Sequence, residues 1–216
     1  MMIRKSLLGI LIAAVVFVLS GAVYAQDLWQ SNRFTADYER FYYEIVSNTT
    51  EWDYDLFEEV KVENRFNQLL ELKKADDGLV EVTQGYSYMV PQDQLSDQLS
   101  FMGGMFGLPM FLGGGEWLGE WMFLAMFASE LELEVGNTMQ LFDGSRVRVV
   151  DEETVAGVRG YVVLKFYRET DEDGNRIDVL TSEWVIAPDV GWPLRVNVFQ
   201  EDEVVYSMTL LEYERK

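Results

Sequence analysis

The sequence predicts a mainly β fold of the α+β type, in which an antiparallel sheet meanders along most of the chain. Asp-Gly pairs stand at positions 77–78, 143–144 and 173–174, each between segments rich in β-forming residues. An Asp-Gly pair is a strong hairpin signal because both of its residues tolerate a positive φ. Strand candidates separated by such turns are typical of an antiparallel meander. One or two helices are expected, and only in the middle of the chain.

Tyr, Phe, Trp and Val dominate the predicted strands, as a half-buried pleated surface prefers. The candidates are residues 66–72, 79–82, 146–149, 158–168, 177–187, 194–198 and 204–213. Residues 34–46 fit either a helix or a strand, and their aromatic content favours a strand. Residues 26–32 and 47–53 are expected to form loops.

The first 25 residues fit a cleavable secretory signal peptide. Arg4 and Lys5 precede an apolar run at residues 7–19, and the small residue Ala25 stands at the expected cleavage site. The run is shorter than the roughly 20 apolar residues that span a bilayer. We therefore expect export to the periplasm, cleavage after residue 25 and no stable transmembrane anchor. Residues 26–216 are then long enough for one domain.

The charge and the residue inventory exclude several functions. The formal charge is −20, and removal of Arg4 and Lys5 with the signal peptide takes it to −22, which disfavours nucleic acid and anionic bilayers as partners. The absence of His and Cys excludes Ser-His-Asp and Cys-His sites and the usual zinc ligands. An all-carboxylate active site stays open, but no pattern indicates one. We expect no metal, no cofactor and no enzymatic activity.

The segment at residues 91–128 differs from the rest of the chain. Residues 91–99 indicate a short helix with Pro91 near its start, and residues 101–115 consist of Phe, Met, Leu, Gly and one Pro. Residues 116–128 indicate a second helix that is apolar nearly all round. Such a helix is buried on more than one side, whereas a single sheet offers it only one face.

Three interpretations of this apolar insert stay open. It is the core plug of a sheet-and-helix domain, a lid or lining over a lipid cavity, or a membrane-inserting segment. Methionine adapts to irregular apolar partners and glycine permits backbone movement, which favour a lid. Pro109 and the glycines at 113–115 interrupt any membrane span. The lid interpretation assigns the ligand-binding side chains to Phe101, Met105, Phe106, Met110, Phe111, Trp117, Trp121, Phe123 and Phe127.

Charged residues near this insert have their own interpretations. Glu116 and Glu120 are one helical turn apart. They fit the solvated edge of a helix, or charges near a helix amino terminus, better than a catalytic pair. Arg148 and Arg195 are candidates to contact a lipid head group, provided that they face the mouth of the cavity.

Two motifs in the carboxy-terminal part resemble a known family. They are TVAGVRGY at residues 154–161 and EWVIAPDVGWPLRV at residues 183–196, and a third segment, FTADY at residues 34–38, lies near the start of the mature chain. With the signal peptide, they are similar to the bacterial outer-membrane lipoprotein-sorting proteins, namely the periplasmic lipoprotein carrier and its lipid-binding relatives. The resemblance implies a curved, half-open antiparallel β-barrel with helices packed in its concave face.

The resemblance also implies a function. A member of that superfamily binds and carries a lipid or a lipoprotein acyl chain through the periplasm, with an inner- or outer-membrane protein as a further partner. On this basis residues 26–216 form one half-barrel domain with an apolar helical lid at residues 91–128. The alternative is an envelope sensor or structural protein-interaction module on the same scaffold, in which the insert is a protein-docking surface.

Overall fold

A computed structural model of the chain describes residues 28–31, 33–53, 56–89, 92, 120, 131–141, 143–170 and 174–216, with Glu51 described by its backbone alone. The predicted signal peptide, residues 1–25, lies outside the described residues. Of the apolar insert at residues 91–128, the structure describes Gln92 and Glu120.

The described residues form nine strands and one short 3-10 turn. The strands are β1 Tyr38–Asp53, β2 Glu58–Lys74, β3 Val80–Tyr88, β4 Thr138–Gln140, β5 Arg146–Val155, β6 Val158–Thr170, β7 Arg176–Ile186, β8 Arg195–Gln200 and β9 Glu203–Arg215, and the 3-10 turn is Asp76–Gly78. They lie in one antiparallel sheet in the order β3-β2-β1-β9-β8-β7-β6-β5-β4. The prediction of a mainly β, meandering antiparallel sheet is therefore confirmed.

The sheet consists of two meanders that meet at the pair of β1 and β9. The first meander comprises β1 to β3 and the second comprises β4 to β9. Main-chain hydrogen bonds in both directions between Tyr38 and Lys216 fix the end of this junction. Strands β3 and β4 are the two edges, and the described strands do not close into a barrel.

The three hairpins that Asp-Gly predicts are present. Gly78 has φ +76° between β2 and β3, Gly144 has φ +86° between β4 and β5, and Gly174 has φ +83° between β6 and β7. The two turns that are only two residues long also contain positive φ values. One is Ala156 with Gly157, and the other is Glu201 with Asp202, where neither residue is a glycine. Asp and Asn tolerate this conformation better than other side-chain-bearing residues.

The first strand is longer than the sequence predicts. The strand expected within residues 34–46 is confirmed from Tyr38 onward, but the loop expected at residues 47–53 is wrong, because β1 continues to Asp53. This segment pairs residue by residue with β2, for example Thr49 with Val62 and Asp53 with Glu58. Hydrogen bonding to a neighbouring strand outweighs the weak strand propensity of the Asn, Glu and Asp residues in this segment.

Side chains alternate between two faces of the sheet, and one face is buried. Cross-strand register assigns to this buried face the side chains of Phe41, Tyr43, Ile45, Phe66, Leu70, Val147, Val149, Val163, Trp184, Val196, Val198, Met208 and Leu210. The opposite face of the central strands is largely polar, with Arg40, Glu44, Glu183, Arg195 and Asn197. Most of the core therefore lies on one side of a single sheet, although Val162 and Val185, which pair with each other, are buried on the other side.

Helices over this face were also expected from the sequence, and a curved half-barrel was implied by the resemblance. The residues concerned, 91–128, lie outside the described residues except for Gln92 and Glu120. The helical cover and the curvature of the sheet stay predictions.

Candidate functional site

The predicted ligand-binding residues cannot be placed, because all of them lie outside the described residues. They are Phe101, Met105, Phe106, Met110, Phe111, Trp117, Trp121, Phe123 and Phe127. Within the insert, Glu120 is the described residue with side-chain contacts, and these contacts lead to the buried face of the sheet. The candidate site is therefore built from Glu120 and the strands that it meets.

Glu120 binds two side chains on neighbouring strands. Nζ of Lys165 on β6 lies 2.7 Å from Glu120 Oε1, and Ser182 Oγ on β7 donates a hydrogen bond of 2.9 Å to Glu120 Oε2. Lys165 and Ser182 are direct cross-strand partners, so their side chains lie side by side on the same face. One carboxylate is thus held by an ammonium group on one oxygen and by a hydroxyl group on the other.

The three groups are largely withdrawn from solvent. The Lys165 side chain is 6% exposed and the Glu120 side chain 18% exposed, while Ser182 is fully buried. A buried cation is costly unless it is paired and hydrogen-bonded. The Glu120 carboxylate supplies that pairing, which explains why an ammonium group can stand on this face.

Apolar residues surround this polar position on the sheet. Val147 on β5 pairs with Lys165, and Val198 on β8 pairs with Ser182. Val163 and Trp184 are the next residues along β6 and β7 on the same face, and they pair with each other. The Lys165–Ser182 pair is therefore a single cationic, hydrogen-bonding position within an apolar surface.

Trp184 adds a further polar group to this surface. The residue is 2% exposed, and its indole Nε1 is buried with no hydrogen-bond partner among the described residues. A buried indole N–H normally finds an acceptor. Trp184 is two residues from Ser182 on the same strand face, so the same surface contains a buried donor without an acceptor among the described residues.

The structure corrects one interpretation of the insert. The sequence favours Glu120 as the solvated edge of a helix, but its carboxylate is mostly buried against β6 and β7. The reason is a contact with Lys165, 45 positions further along the chain, which no local pattern encodes. Glu116, the other half of the suggested pair, lies outside the described residues.

Sequence reasoning missed Lys165 and Ser182. One signal was available, since Lys165 stands between apolar residues in the strand segment VVLKF and alternates in phase with buried Val163. A lone cation on the buried phase of a strand indicates a specific partner, because an unpaired charge is rarely buried. Ser182 gives no comparable signal, because small hydroxyl residues are common in strands.

The two arginines considered for a head group lie on the opposite face. Arg148 pairs with Leu164 and is exposed, and Arg195 pairs with Val185. Arg195 forms two hydrogen bonds to the Glu153 carboxylate, of 2.7 and 2.6 Å, and a third of 3.1 Å to Glu183. These carboxylates raise the pKa of the Arg195 guanidinium, despite its partial burial. Neither arginine shares a face with Lys165, so neither belongs to this site.

A second buried carboxylate lies at the junction of the two meanders. Glu39 is 1% exposed, and its Oε1 accepts a hydrogen bond of 3.0 Å from Tyr213 and lies 3.5 Å from Nε of Arg215. Burial raises the pKa of the Glu39 carboxyl, although Tyr213 and Arg215 oppose that shift. The rings of Tyr213 and Trp192 both pack beside Phe41, with centroids 5.2 and 5.8 Å from the Phe41 centroid. The Glu39 carboxylate therefore joins β1 to β9, and we interpret its role as structural.

The described residues also line a polar cleft of about 760 Å³ where β1, β2, β8 and β9 end. Its lining includes Glu59, Lys61, Glu201 and Glu203, with Lys61 paired to Glu203 at 2.5 Å. Charged walls suit water and ions, and an acyl chain requires apolar walls. The cleft is therefore a poor candidate for the predicted ligand.

The described part of the chain lacks two further kinds of feature. No group of three or more acidic, His or Cys side chains there is arranged to hold a metal ion. The helical residues among those described include no stretch with the length and hydropathy needed to cross a bilayer. Comparison with known protein families gives no match, and comparison with curated proteins gives no significant match.

Proposed function

We propose that this chain is a periplasmic, non-enzymatic carrier that binds a lipid or a lipoprotein acyl chain between the buried face of the sheet and the apolar insert at residues 91–128. The observation that supports this most is the position of Glu120. This residue belongs to the insert, and it contacts Lys165 and Ser182 on the buried face. Through Glu120, the apolar insert therefore contacts the apolar side of the sheet.

The topology of the sheet supports the same proposal. The chain leaves the sheet at β3, which is one edge, and returns at β4, which is the other. Eight strand spacings of about 4.8 Å separate these edges, roughly 38 Å in a flat sheet. Glu120, which lies between these two edges in the chain, contacts β6 and β7 on the buried face. In the proposed fold, the sheet curves around the segment between β3 and β4, and the helices of that segment cover the concave face.

The composition of the insert suits a ligand as well as a core. The nine proposed lining residues are Phe, Met and Trp, which adapt to or pack against irregular apolar surfaces. Burial of an acyl chain stabilises a complex by about 0.8 kcal/mol per methylene. No covalent step is needed, so binding and release depend only on movement of the insert and on competition with a membrane acceptor.

The experiment that tests the proposal uses the exported protein purified without detergent. Organic extraction followed by mass spectrometry identifies any lipid that copurifies, and an acyl fluorescent probe measures affinity after delipidation. Trp117→Ala with Trp121→Ala is expected to abolish probe binding while the β-sheet circular dichroism signal persists. Trp52→Ala, which removes a half-exposed tryptophan from β1, is the matched control. Undiminished probe affinity in the double variant would contradict the proposal.

The location is tested separately from the ligand. Expression with a periplasmic fraction assay and amino-terminal sequencing is expected to give a mature chain that begins at Gln26. A chain that retains residues 1–25 and stays in the cytoplasm would contradict export, whatever its lipid affinity.

A protein-interaction module on the same scaffold is the second candidate, and one observation favours it. Among the described residues β3 has a partner on one side only, β2, and apolar side chains on and beside β3 are exposed. They are Leu79, Val80, Val82, Tyr88 and Met89. An exposed edge strand can add a strand from a partner chain. A purified protein free of lipid that captures one envelope protein, and loses it with Val82→Lys, supports this candidate.

A further inference from the structure

The most unusual feature of the buried face is the Lys165–Ser182 pair. Both residues belong to adjacent strands and face each other directly. Lys165 is 4% exposed and Ser182 is fully buried, yet neither side chain is apolar. A sheet that only needed to bury a core would place apolar residues at these two positions, as it does at the neighbouring ones.

The geometry of this pair matches one chemical group. The ammonium nitrogen contacts one oxygen of the Glu120 carboxylate at 2.7 Å, and the hydroxyl donates to the other oxygen at 2.9 Å. Two donors directed at the two oxygens of one planar carboxylate form a complementary receptor for that group. The single positive charge of Lys165 balances a single negative charge, whereas a phosphate monoester brings more.

The surroundings of the pair suggest what is attached to the carboxylate. Val147, Val163, Val198 and Trp184 surround the pair on the face of the sheet. A ligand with one anionic end and an otherwise apolar body satisfies both the pair and its neighbours. The unused indole N–H of Trp184, for which the described residues offer no acceptor, provides a third donor on this surface.

We propose that the Lys165–Ser182 pair is the head-group site for a fatty-acid carboxylate, and that Glu120 occupies it in the absence of ligand. The inference rests on the proposed function, of which it specifies the ligand class. Binding exchanges one carboxylate for another, so the charge around Lys165 is conserved. The released Glu120 carboxylate gains hydration in return for its two contacts. The net preference for ligand then comes from burial of the acyl chain.

The test compares two probes that differ only at the head group. These are cis-parinaric acid, a fluorescent fatty acid, and its methyl ester, which has no negative charge. The delipidated wild-type protein is expected to bind the acid more tightly than the ester, which has no charge with which to replace Glu120. The difference should approach about tenfold in Glu120→Gln, where no carboxylate competes for the charged hydrogen bonds. Equal affinities would overturn the head-group site alone. Binding of neither probe would overturn the proposed function, and with it this inference.

Three variants test whether the preference for the acid over the ester depends on Lys165, Ser182 and Glu120. Lys165→Met and Ser182→Ala are expected to remove or reduce the preference for the acid over the ester. Glu120→Gln is expected to tighten acid binding several-fold, because the competing carboxylate is gone. Lys61→Met, whose lysine lies in an exposed ion pair with Glu203, is the matched control and is expected to leave the preference unchanged.

Two results with these variants would contradict the head-group site. A Lys165→Met protein that retains the acid preference, or a Glu120→Gln protein that binds the acid more weakly, would overturn it. If Lys165→Met does not fold, Glu120→Gln with Lys165→Met replaces it, because the double variant also removes the buried Glu120 carboxylate. The same loss of acid preference is expected there, and retention of the preference again overturns the assignment.

Discussion

Lys165 and Ser182 lie directly opposite each other on β6 and β7, and both bind the carboxylate of Glu120. The contact joins β6 and β7 to Glu120, which precedes Lys165 by 45 positions and Ser182 by 62 positions in the chain. It is polar, while the surface around it is apolar. Variants of these three residues therefore test both the stability of the sheet and the proposed ligand site.

Removal of the lysine should destabilise the fold. Lys165→Met leaves the Glu120 carboxylate mostly buried without its cation, and breaking one side of a buried pair costs about 3 kcal/mol. We expect a corresponding fall in the free energy of unfolding, measured by urea denaturation with circular dichroism. Glu120→Gln added to Lys165→Met is expected to restore much of the loss, since the carboxylate that lost its cation is then absent too.

The control for this prediction is the exposed pair of Lys61 and Glu203, whose side chains are 74% and 69% exposed. Lys61→Met should change the unfolding free energy little, because solvent screens exposed charges. Equal effects of Lys61→Met and Lys165→Met would mean that the Glu120 contact contributes no more than a surface pair.

Glu39 predicts an unusual pH dependence. Burial raises the pKa of its carboxyl in the folded state above the ordinary value of 4.5. Between the unfolded and the folded pKa, the folded protein therefore binds more protons than the unfolded chain, and stability falls as the pH rises. Glu39→Gln removes this penalty, so the variant should be more stable than the wild type at neutral pH.

The stability difference between the wild type and Glu39→Gln, followed as a function of pH, shows whether Glu39 is the titrating group. It should shrink as the pH falls through the raised pKa of Glu39 and should vanish near the unfolded value. Denaturation of both proteins across this range, at constant ionic strength, provides the measurement. A variant that is less stable than the wild type at neutral pH would show that the contacts to Tyr213 and Arg215 outweigh the burial of the charge.

A glycine near the carboxy-terminal motif is needed for close packing. A Cβ atom added to Gly191 would overlap the backbone of Arg33, on the segment that also contains buried Trp29. Trp29 Nε1 donates a hydrogen bond of 2.8 Å to the carbonyl of Val190, so the two segments are closely joined. Gly191→Ala should lower the unfolding free energy by about 1–3 kcal/mol, as overpacking does.

Gly85 on β3 provides the matched control, because a Cβ atom there would meet nothing within 4 Å. Gly85→Ala should change stability by less than about 0.5 kcal/mol. Thermal and urea denaturation of the two variants give the comparison. Similar stabilities would indicate that the Arg33 segment moves aside at little cost.

Arg195 is expected to affect stability but not ligand binding. Its bonds to Glu153 and Glu183 lie on the face opposite Lys165. Arg195→Gln should lower the unfolding free energy by about 1–2 kcal/mol through the lost charged hydrogen bonds. The affinity for an acyl probe should stay the same. A clear loss of probe affinity in the folded variant would indicate that the ligand lies on the face of Arg195, and this would contradict its proposed position on the face of Lys165.

The sequence predicted the parts of the fold that local chemistry determines. Asp77-Gly78 and its two counterparts mark their hairpins because a turn with positive φ requires particular residues. The strand at residues 47–53 was missed because its structure depends on pairing with β2. Local propensity contains no information about a partner strand.

The candidate site was harder to predict for the same reason. Glu120 has two partners on different strands, and they meet only after those strands have paired in register. The isolated charge of Lys165 within an apolar strand was the one available indication. The apolar insert was identified from composition, but composition alone did not separate a lid from a core plug.

The central claim is that an acyl chain lies between the insert and the buried face. Photo-crosslinking with a diazirine-bearing fatty acid, followed by peptide mapping of the purified delipidated protein, tests it most directly. We expect crosslinked peptides from residues 101–127 and from β6 and β7, with competition by unlabelled fatty acid. An absence of labelling, or labelling confined to β3 or to the polar cleft beside Lys61, would contradict the claim.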